Sequence, residues 1–490
     1  MRTCKDMTYH AGIVLRIYPS NEQKRIIAAN DGAGRFIYNR LVALDRERYR
    51  LSKYADLIPA YRDRMDYIDS VIRNPDKGIA QCLKNAVPFC YEKDIDSLAI
   101  DNSIKNYRAT WSKYKEDPIH NGIPAFHKKG YSETYQTNAH YDADAVCIND
   151  SNVRFPDKKH IILPKIGEIR IAGSKKRIAE LIDRPDTRIG TITVCKDVIG
   201  RYFVSLQLAS DKPFAKNLPM TLSSAGIDLN IENFLWDSNN NVVENPKVRR
   251  NIQKQLAEIQ QSISRKAVRA KKEGRLLSEC KNYQKERLRA AHLQIKIRGK
   301  GDDFRHVVSK RYVESQDIIA AEDLKVKNLL KNHKLALAIS ECGWSDFLRK
   351  LEYKCAMYGK RFIKVPPQYT TQTCSSCGYV MRGGNTLQLN DREWICPECG
   401  TYHVRDYNAA KNILAKGLAI LFDEAPVCST GNAKICPGDD NSPGKALITE
   451  PLLQGHICDK SGVSAKVESV ETRDLSFSAI TKPAALAAGS

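Results

Sequence analysis

The chain has 490 residues and a formal net charge of +21, with 78 Lys and Arg against 57 Asp and Glu. Its 42% hydrophobic and 28% charged residues exclude wholesale disorder, and the length supports roughly two to four packed domains. No run approaches the ~18 apolar residues of a membrane span, and the opening MRTCKDMTYH has no apolar signal core, so secretion and membrane insertion are set aside. A cytoplasmic protein this basic is expected to meet a polyanion, above all nucleic acid; the plain alternative is a basic soluble enzyme.

In chain order, residues 12–18 alternate apolar and polar side chains and predict a strand. Ser20 and Gln23 then form a capping-box pair at a helix start. The pattern stays largely helical to Tyr114, with breaks expected near Pro59, Pro75 and Pro88. Basic and aromatic residues interleave in this block, which offers Arg35, Tyr38, Asn39, Arg40, Lys105 and Arg108 as candidate phosphate and base contacts. The bland alternative places Phe36, Tyr38 and Trp111 in the core. Between 136 and 210, short β-rich runs at 160–164, 166–171, 188–194 and 202–208 predict an antiparallel sheet or barrel into which the helical block is inserted.

A third region opens at Ser223. Residues 225–229 predict a strand, 234–238 and 241–243 a hairpin, and 247–311 a helical stretch with 20 basic against 6 acidic residues. Ile252, Leu256, Ile259 and Ile263 mark its apolar stripe, and Lys254, Arg265 and Lys266 are candidate nucleic-acid contacts on it. Strands at 316–321 and 361–365 flank an amphipathic helix carrying Trp344, Phe347, Leu348, Leu351 and Cys355, and a last helix starts near Asp406. Residues 419–490 hold six basic and nine acidic residues with no sustained period, and are expected to form a mostly disordered tail.

Four of the fifteen cysteines have motif spacing: Cys374-x-x-Cys377 and, after eighteen residues, Cys396-x-x-Cys399. Each pair puts two thiolates on one side of a tight turn, with Gly378 and Gly400 next. Two such turns predict tetrahedral S₄ coordination of one structural Zn²⁺ with no open position for catalysis. Three acids stand out as well. Asp228 lies inside an apolar strand, Glu322 ends another, and Asp406 opens a helix. Converging carboxylates would suit two Mg²⁺ ions and in-line hydrolysis of a phosphodiester. Each also has a plain reading, Asp406 as a helix cap and Asp228 as a turn cap, and spacing does not decide between them.

Taken in order, Gly226-Ile227-Asp228-Leu229, Ala321-Glu322-Asp323-Leu324, the paired knuckles and Arg405-Asp406-Tyr407-Asn408-Ala409-Ala410 resemble the TnpB family of transposon-encoded RNA-guided DNA nucleases, relatives of compact type V CRISPR effectors. The segments 15–19, 36–39, 163–167 and 334–339 and Gly343-Trp344 extend the resemblance over about residues 10–418. It implies a multidomain α+β and α/β chain. A wedge-type β-barrel (1–20 and 136–220) would carry an inserted helical recognition domain (21–135). A RuvC-like, RNase H-fold nuclease domain (221–368 and 404–418) would carry an inserted zinc ribbon (369–403), with the tail from 419. Two departures stand out: Asn230 replaces a common Gly, and Val404 replaces an acid found in many relatives two positions before Asp406.

By the same resemblance Asp228, Glu322 and Asp406 hold two Mg²⁺ ions, and the partners are a guide RNA and target double-stranded DNA, with no membrane. The expected activity is RNA-guided DNA cleavage beside a short flanking motif, with the basic 247–311 segment against the heteroduplex or guide scaffold. A bacterial or archaeal cytoplasm is implied, and a homodimer is compatible with it. Two rivals stay open: a guide-dependent repressor that does not cut, and a guide-free junction-resolving nuclease.

Overall fold

The computed structural model describes residues 4, 6–73, 83, 87–142, 145, 147–383, 386–388 and 390–423. Pro75 and the tail from 424 lie outside them. The chain divides into two compact units at Phe214/Ala215.

In the first unit, strand β1 (Tyr9–Tyr18) runs into helix α1 (Asn21–Leu51) through the expected capping box: Ser20 Oγ accepts from Gln23 N at 3.2 Å and Gln23 Oε1 from Ser20 N at 2.9 Å. The break expected near Pro59 falls at residues 52–58, and Pro59 itself opens α2 (Pro59–Arg73), where a missing N–H costs nothing. A short 3₁₀ turn at Pro88–Tyr91 precedes α3 (Ser97–Glu116), capped by Asp96. Ile37, Leu41, Ile68, Ile100 and Tyr107 form the core of these helices.

The β part consists of β1, β2 (Glu133–Asn138), β3 (Arg154–Asp157), β4 (His160–Leu163), β5 (Gly167–Ala172), β6 (Thr187–Lys196) and β7 (Tyr202–Ser210), with α4 (Lys175–Ile182) between β5 and β6. They form one antiparallel sheet in the order β2-β6-β7-β1-β5-β4-β3. Its inner face buries alternate residues, among them Leu15, Ile17, Val204 and Leu206. Of the antiparallel sheet or barrel expected, the structure has the sheet; among the described residues its edge strands β2 and β3 share no ladder that would close it into a barrel. Strand β2 begins at Glu133, just inside the 135 bound expected for the inserted helical domain.

The second unit is a mixed five-stranded sheet: β8 (Ser224–Leu229), β9 (Asn233–Asp237), β10 (Val242–Glu244), β11 (Ile318–Glu322) and β12 (Arg361–Val365), in the order β10-β9-β8-β11-β12. The hairpin pairs are antiparallel and β8, β11 and β12 are parallel. Helices α5 (Val248–Lys272) and α6 (Lys281–Ser315) form a pair between β10 and β11. Leu256 and Ile259 of the predicted stripe are buried. Short α7 (Val326–Leu329) and α8 (Ala336–Cys342) lead to α9 (Trp344–Tyr358). A two-stranded ladder of β13 (Glu393–Ile395) and β14 (Tyr402–Val404) precedes α10 (Arg405–Asp423), which runs five residues past the expected start of the tail.

The sheet is covered on both faces. Ala225, Ile227, Ile319 and Ala321 pack on Val313, Phe347 and Leu351, while Ala320 and Val365 meet Ile413 of α10. That second face is unusually close. A Cβ added at Gly226 would lie 2.1 Å from Ala410 O, and one at Gly417 would lie 2.5 Å from the Ala320 Cβ. Glycine at 226 therefore fixes how near α10 comes to β8.

Candidate metal centres

Side chains two apart on a strand share a face, so Asp228 sits on the Gly226 side of β8, toward α10. Parallel pairing sets Ala320 beside Gly226 and Ala321 beside Ile227. One further step along the register puts Glu322 level with Asp228 on that same face. Asp406, the second residue of α10, comes to the same carboxyl end of the sheet. Burial pushes the Asp228 carboxyl well above the usual range, and Glu322 and Asp406 raise it further by like-charge repulsion. Burial also raises Glu322, against a hydrogen bond from Thr370, and Asp406, against Arg392 and Arg405.

The three acids thus meet electrostatically, and each outer one has a neutral or cationic companion. Thr370 Oγ1 hydrogen-bonds Glu322 Oε1. Asn230 Nδ2 donates to Asp406 Oδ2 at 3.2 Å, and Arg392 reaches Asp406 at 3.5 Å and Glu232 at 3.1 Å. Asn230, at the position of a common Gly, has no left-handed φ. Its side chain instead accepts from Asn233 N at 2.8 Å and donates to Asp406.

The four cysteines are drawn tighter. Their sulfurs all lie within 4.8 Å of one another, the set among the described residues whose ligand atoms come this close. Cys374 and Cys399 are 3.7 Å apart, as are Cys377 and Cys396. A tetrahedral centre with Zn–S bonds of about 2.3 Å has S–S edges of about 3.8 Å, so the quartet fits zinc. The two knuckles repeat one geometry. Gly378 N and Gly400 N donate to Cys374 O and Cys396 O at 2.9 and 2.8 Å, and both glycines have positive φ, 79° and 69°. His403 is buried with Nε2 3.0 Å from Cys374 Sγ, its ring tilted over Trp394 at 4.5 Å.

Sequence reasoning missed what ties this ribbon to α10. Asn408, Asn412 and Lys416, four residues apart on one helical face, each bond to the backbone of residues 368–375. The signal was present: two Asn at helical spacing beside Ala409, Ala410 and Ile413 are polar residues on a buried face, and such residues require partners.

The nucleic-acid candidates divide. Tyr38 is a core residue, 4% exposed, with its ring stacked on His127 at 3.9 Å, which leaves no face for a base. Asn39 is committed to His127 through its backbone N and O at 2.7 and 2.9 Å, and Arg35 pairs with Asp31 at 3.5 Å. Arg40, Lys105, Arg108, Lys254 and Arg265 are exposed. Lys266 is half-buried, bonded to Ser262 at 2.7 Å and Glu286 at 3.5 Å. No helix among the described residues is long and apolar enough to cross a membrane.

Three family descriptions match the chain: "Probable transposase" over residues 205–333, "Cas12f1-like, TNB domain" over 344–413 and "Helix-turn-helix domain" over 7–53. The first two cover the three acids and the four cysteines. Residues of the third form a strand and one 31-residue helix here, with no helix-turn-helix. A "Putative RNA-guided DNA endonuclease" of Streptomyces pristinaespiralis is 29% identical over 420 residues, 85% of this chain and 90% of that protein. The "Putative RNA-guided DNA endonuclease InsQ" of Escherichia coli (strain K12) is 25% identical over 422 residues, 83% and 92% of the two chains. A solved chain titled "Cryo-EM structure of the Cas12f1-sgRNA-target DNA complex" aligns at TM-score 0.44 and 13% identity, over 83% of this chain and 98% of that one.

Proposed function

We propose that the chain is a member of the TnpB family and an RNA-guided DNA endonuclease cutting with a Mg²⁺-loaded RuvC-like site. The carrying observation is the meeting of Asp228, Glu322 and Asp406 at one end of the mixed sheet, where burial raises all three carboxyls and Glu322 and Asp406 add like-charge repulsion at Asp228. Such a site is matched to divalent cations, which relieve the repulsion. Two Mg²⁺ ions, when bound, would supply an activated water and charge neutralisation at the scissile phosphate.

The chain's own residues do the rest. Asp228 and Glu322 are set by β-sheet register and Asp406 by the packing of α10 on Gly226. Asn230 and Arg392 orient Asp406. The exposed cations of α5 and α6 grip phosphate backbones, with sequence choice left to guide pairing. The sheet of the first unit acts as the wedge, the helices inserted in it as the recognition domain, and the four cysteines as a zinc ribbon within the RuvC-like fold.

The test is cleavage and binding on one guide–target pair, with Mg²⁺ for cutting and Ca²⁺ for binding. Replacing any one acid by Ala is expected to abolish cutting and leave binding intact, and a second replacement to add little, because residues acting as a unit are non-additive. Near-normal cutting by Asp228→Ala would end the nuclease reading of this site. Guide-dependent binding without cutting by the unaltered protein would establish the repressor reading instead.

A further inference from the structure

Thr370 lies four residues before the first knuckle cysteine and is 2% exposed. Its hydroxyl has two acceptors, Glu322 Oε1 and Pro367 O, the latter at 3.1 Å. One hydroxyl carries one proton, and a carboxylate is the stronger acceptor, so the donation goes to Glu322. The carbonyl of Thr370 is held in turn by Asn412 at 2.8 Å, and Asn412 also takes Thr373 O at 2.7 Å. Asn408 holds Thr373 O at 2.7 Å and Ser375 N at 2.9 Å, directly beside Cys374. A continuous run of hydrogen bonds therefore leads from the first knuckle to the carboxylate that ends β11.

A glutamate at a strand end has several rotamers of similar energy, and a metal ligand has to be held in one of them. Thr370 supplies that restraint at Oε1, and Thr370 itself is placed by a loop that the cysteine site closes. We propose that Thr370 is a positioning residue for Glu322, and that through it zinc at the four cysteines and divalent cations at the carboxylates bind cooperatively. The inference rests on Glu322 being a metal ligand. Because linkage is reciprocal, each metal strengthens the other by the same factor.

The experiment titrates Mn²⁺ calorimetrically into the full-length protein and measures zinc content for every sample. Thr370→Val is expected to keep its zinc and bind Mn²⁺ roughly 5- to 150-fold more weakly, the usual span of such coupling. Thr370→Ser keeps the hydroxyl and stays close to the unaltered protein. Unaltered protein stripped of zinc shows a weakening of similar size. Equal Mn²⁺ affinity with and without zinc overturns the coupling, and this arm decides even if Thr370→Val does not fold. Normal affinity in zinc-loaded Thr370→Val, while Glu322→Gln binds weakly, overturns the positioning role alone. If Glu322→Gln itself binds Mn²⁺ normally, Glu322 is no ligand, and the reading beneath the inference falls with it.

Discussion

Asn412 Nδ2 donates to the carbonyl of Thr370 at 2.8 Å, so a residue in the middle of α10 sets the position of a loop 42 residues earlier in the chain. The same amide holds Thr373 O, and Asn412 is only 8% exposed. Asn412→Leu keeps the volume but leaves two carbonyls without that donor. Orphaning a buried polar group costs about 1–3 kcal/mol, so the variant is expected to lose on the order of 2 kcal/mol or more. Urea unfolding, followed through the ribbon's Trp394, measures it; an unchanged midpoint would show that water serves these carbonyls equally well.

Gly226 gives a sharper case. Its missing Cβ admits Ala410 O; Gly226→Ala would set a Cβ 2.1 Å from that oxygen, so the backbone would have to shift. Overpacking of this kind costs about 1–3 kcal/mol, and here it also moves the helix that carries Asp406. The expected result is a protein that folds, melts lower, binds guide and target, and cuts far more slowly. Normal cutting by Gly226→Ala would mean that the spacing of α10 and β8 is not what aligns the acids.

Much of this was legible in the sequence, and the division has a physical basis. Alternation and helical periodicity are local, so β1, the capping box at Ser20, the β9–β10 hairpin and the stripe on α5 could be read directly. The four-cysteine cluster was legible because Cys-x-x-Cys spacing constrains geometry by itself. Tyr38 was ambiguous because a basic-aromatic run looks alike on a core face and on a binding face; only the partner ring of His127 decides it. The break near Pro59 was legible too, because proline is tolerated in a helix's first turn and not in its interior. Closure of the first sheet depends on an edge pairing that no local pattern encodes. Thr370, Asn408 and Arg392 act through contacts distant in sequence, and their partners are invisible until the chain folds.

The helices α6 and α9 are pinned by a buried cation. Lys350 is 0% exposed and reaches Asp302 at 2.8 Å and Asp346 at 2.9 Å; Arg305 adds a 2.8 Å bond to Asp346. Burial alone would raise the Asp346 carboxyl, but hydrogen bonds from Lys350, Arg305 and Arg349 outweigh it and hold it well below the usual range. His306 is lowered to about 4 by burial and by Lys350 and Lys354. Both depressed values make stability fall with acid: His306 from its unfolded pKa near 6.5 downward, Asp346 from about 4 downward. Lys350→Met should destabilise the fold at pH 7, because it takes the buried cation from the half-buried Asp302 and Asp346, the latter still held by Arg305, and should flatten the acid dependence. Melting curves from pH 7 to pH 4 check both. An unaltered slope in the variant would reject the assignment.

The cysteine quartet predicts about one zinc per chain in protein purified without chelator. Cys396→Ser should lose it and expose the segment 370–375 to protease, since metal binding and local folding are one event. His403→Ala should keep the metal but hold it about 10- to 100-fold more weakly, because a donor beside Cys374 Sγ is removed. Metal analysis with chelator competition measures all three, and protein without zinc would reject the ribbon.

Asp228 offers a prediction on stability that needs no substrate. Its carboxyl is pushed well above the usual range by burial first, then by Glu322 and Asp406. A raised folded pKa means that the fold disfavours the ionised form. Stability is full below the unfolded carboxylate pKa of about 4 and is lost as pH rises through the folded value. Asn has the same shape and no charge, so Asp228→Asn should melt a few degrees higher than the unaltered protein at pH 8 in EDTA, where 1 kcal/mol corresponds to about 2–4 °C. The gap should shrink as pH falls toward 3, because Asp228 is then largely protonated in both states. Groups elsewhere titrate equally in the two proteins and cancel in the difference. Mg²⁺ should raise the melting temperature of the unaltered protein at pH 8 and do little for Asp228→Asn. If the variant melts no higher in EDTA and Mg²⁺ stabilises both proteins equally, the ion binds elsewhere and Asp228 is not its ligand.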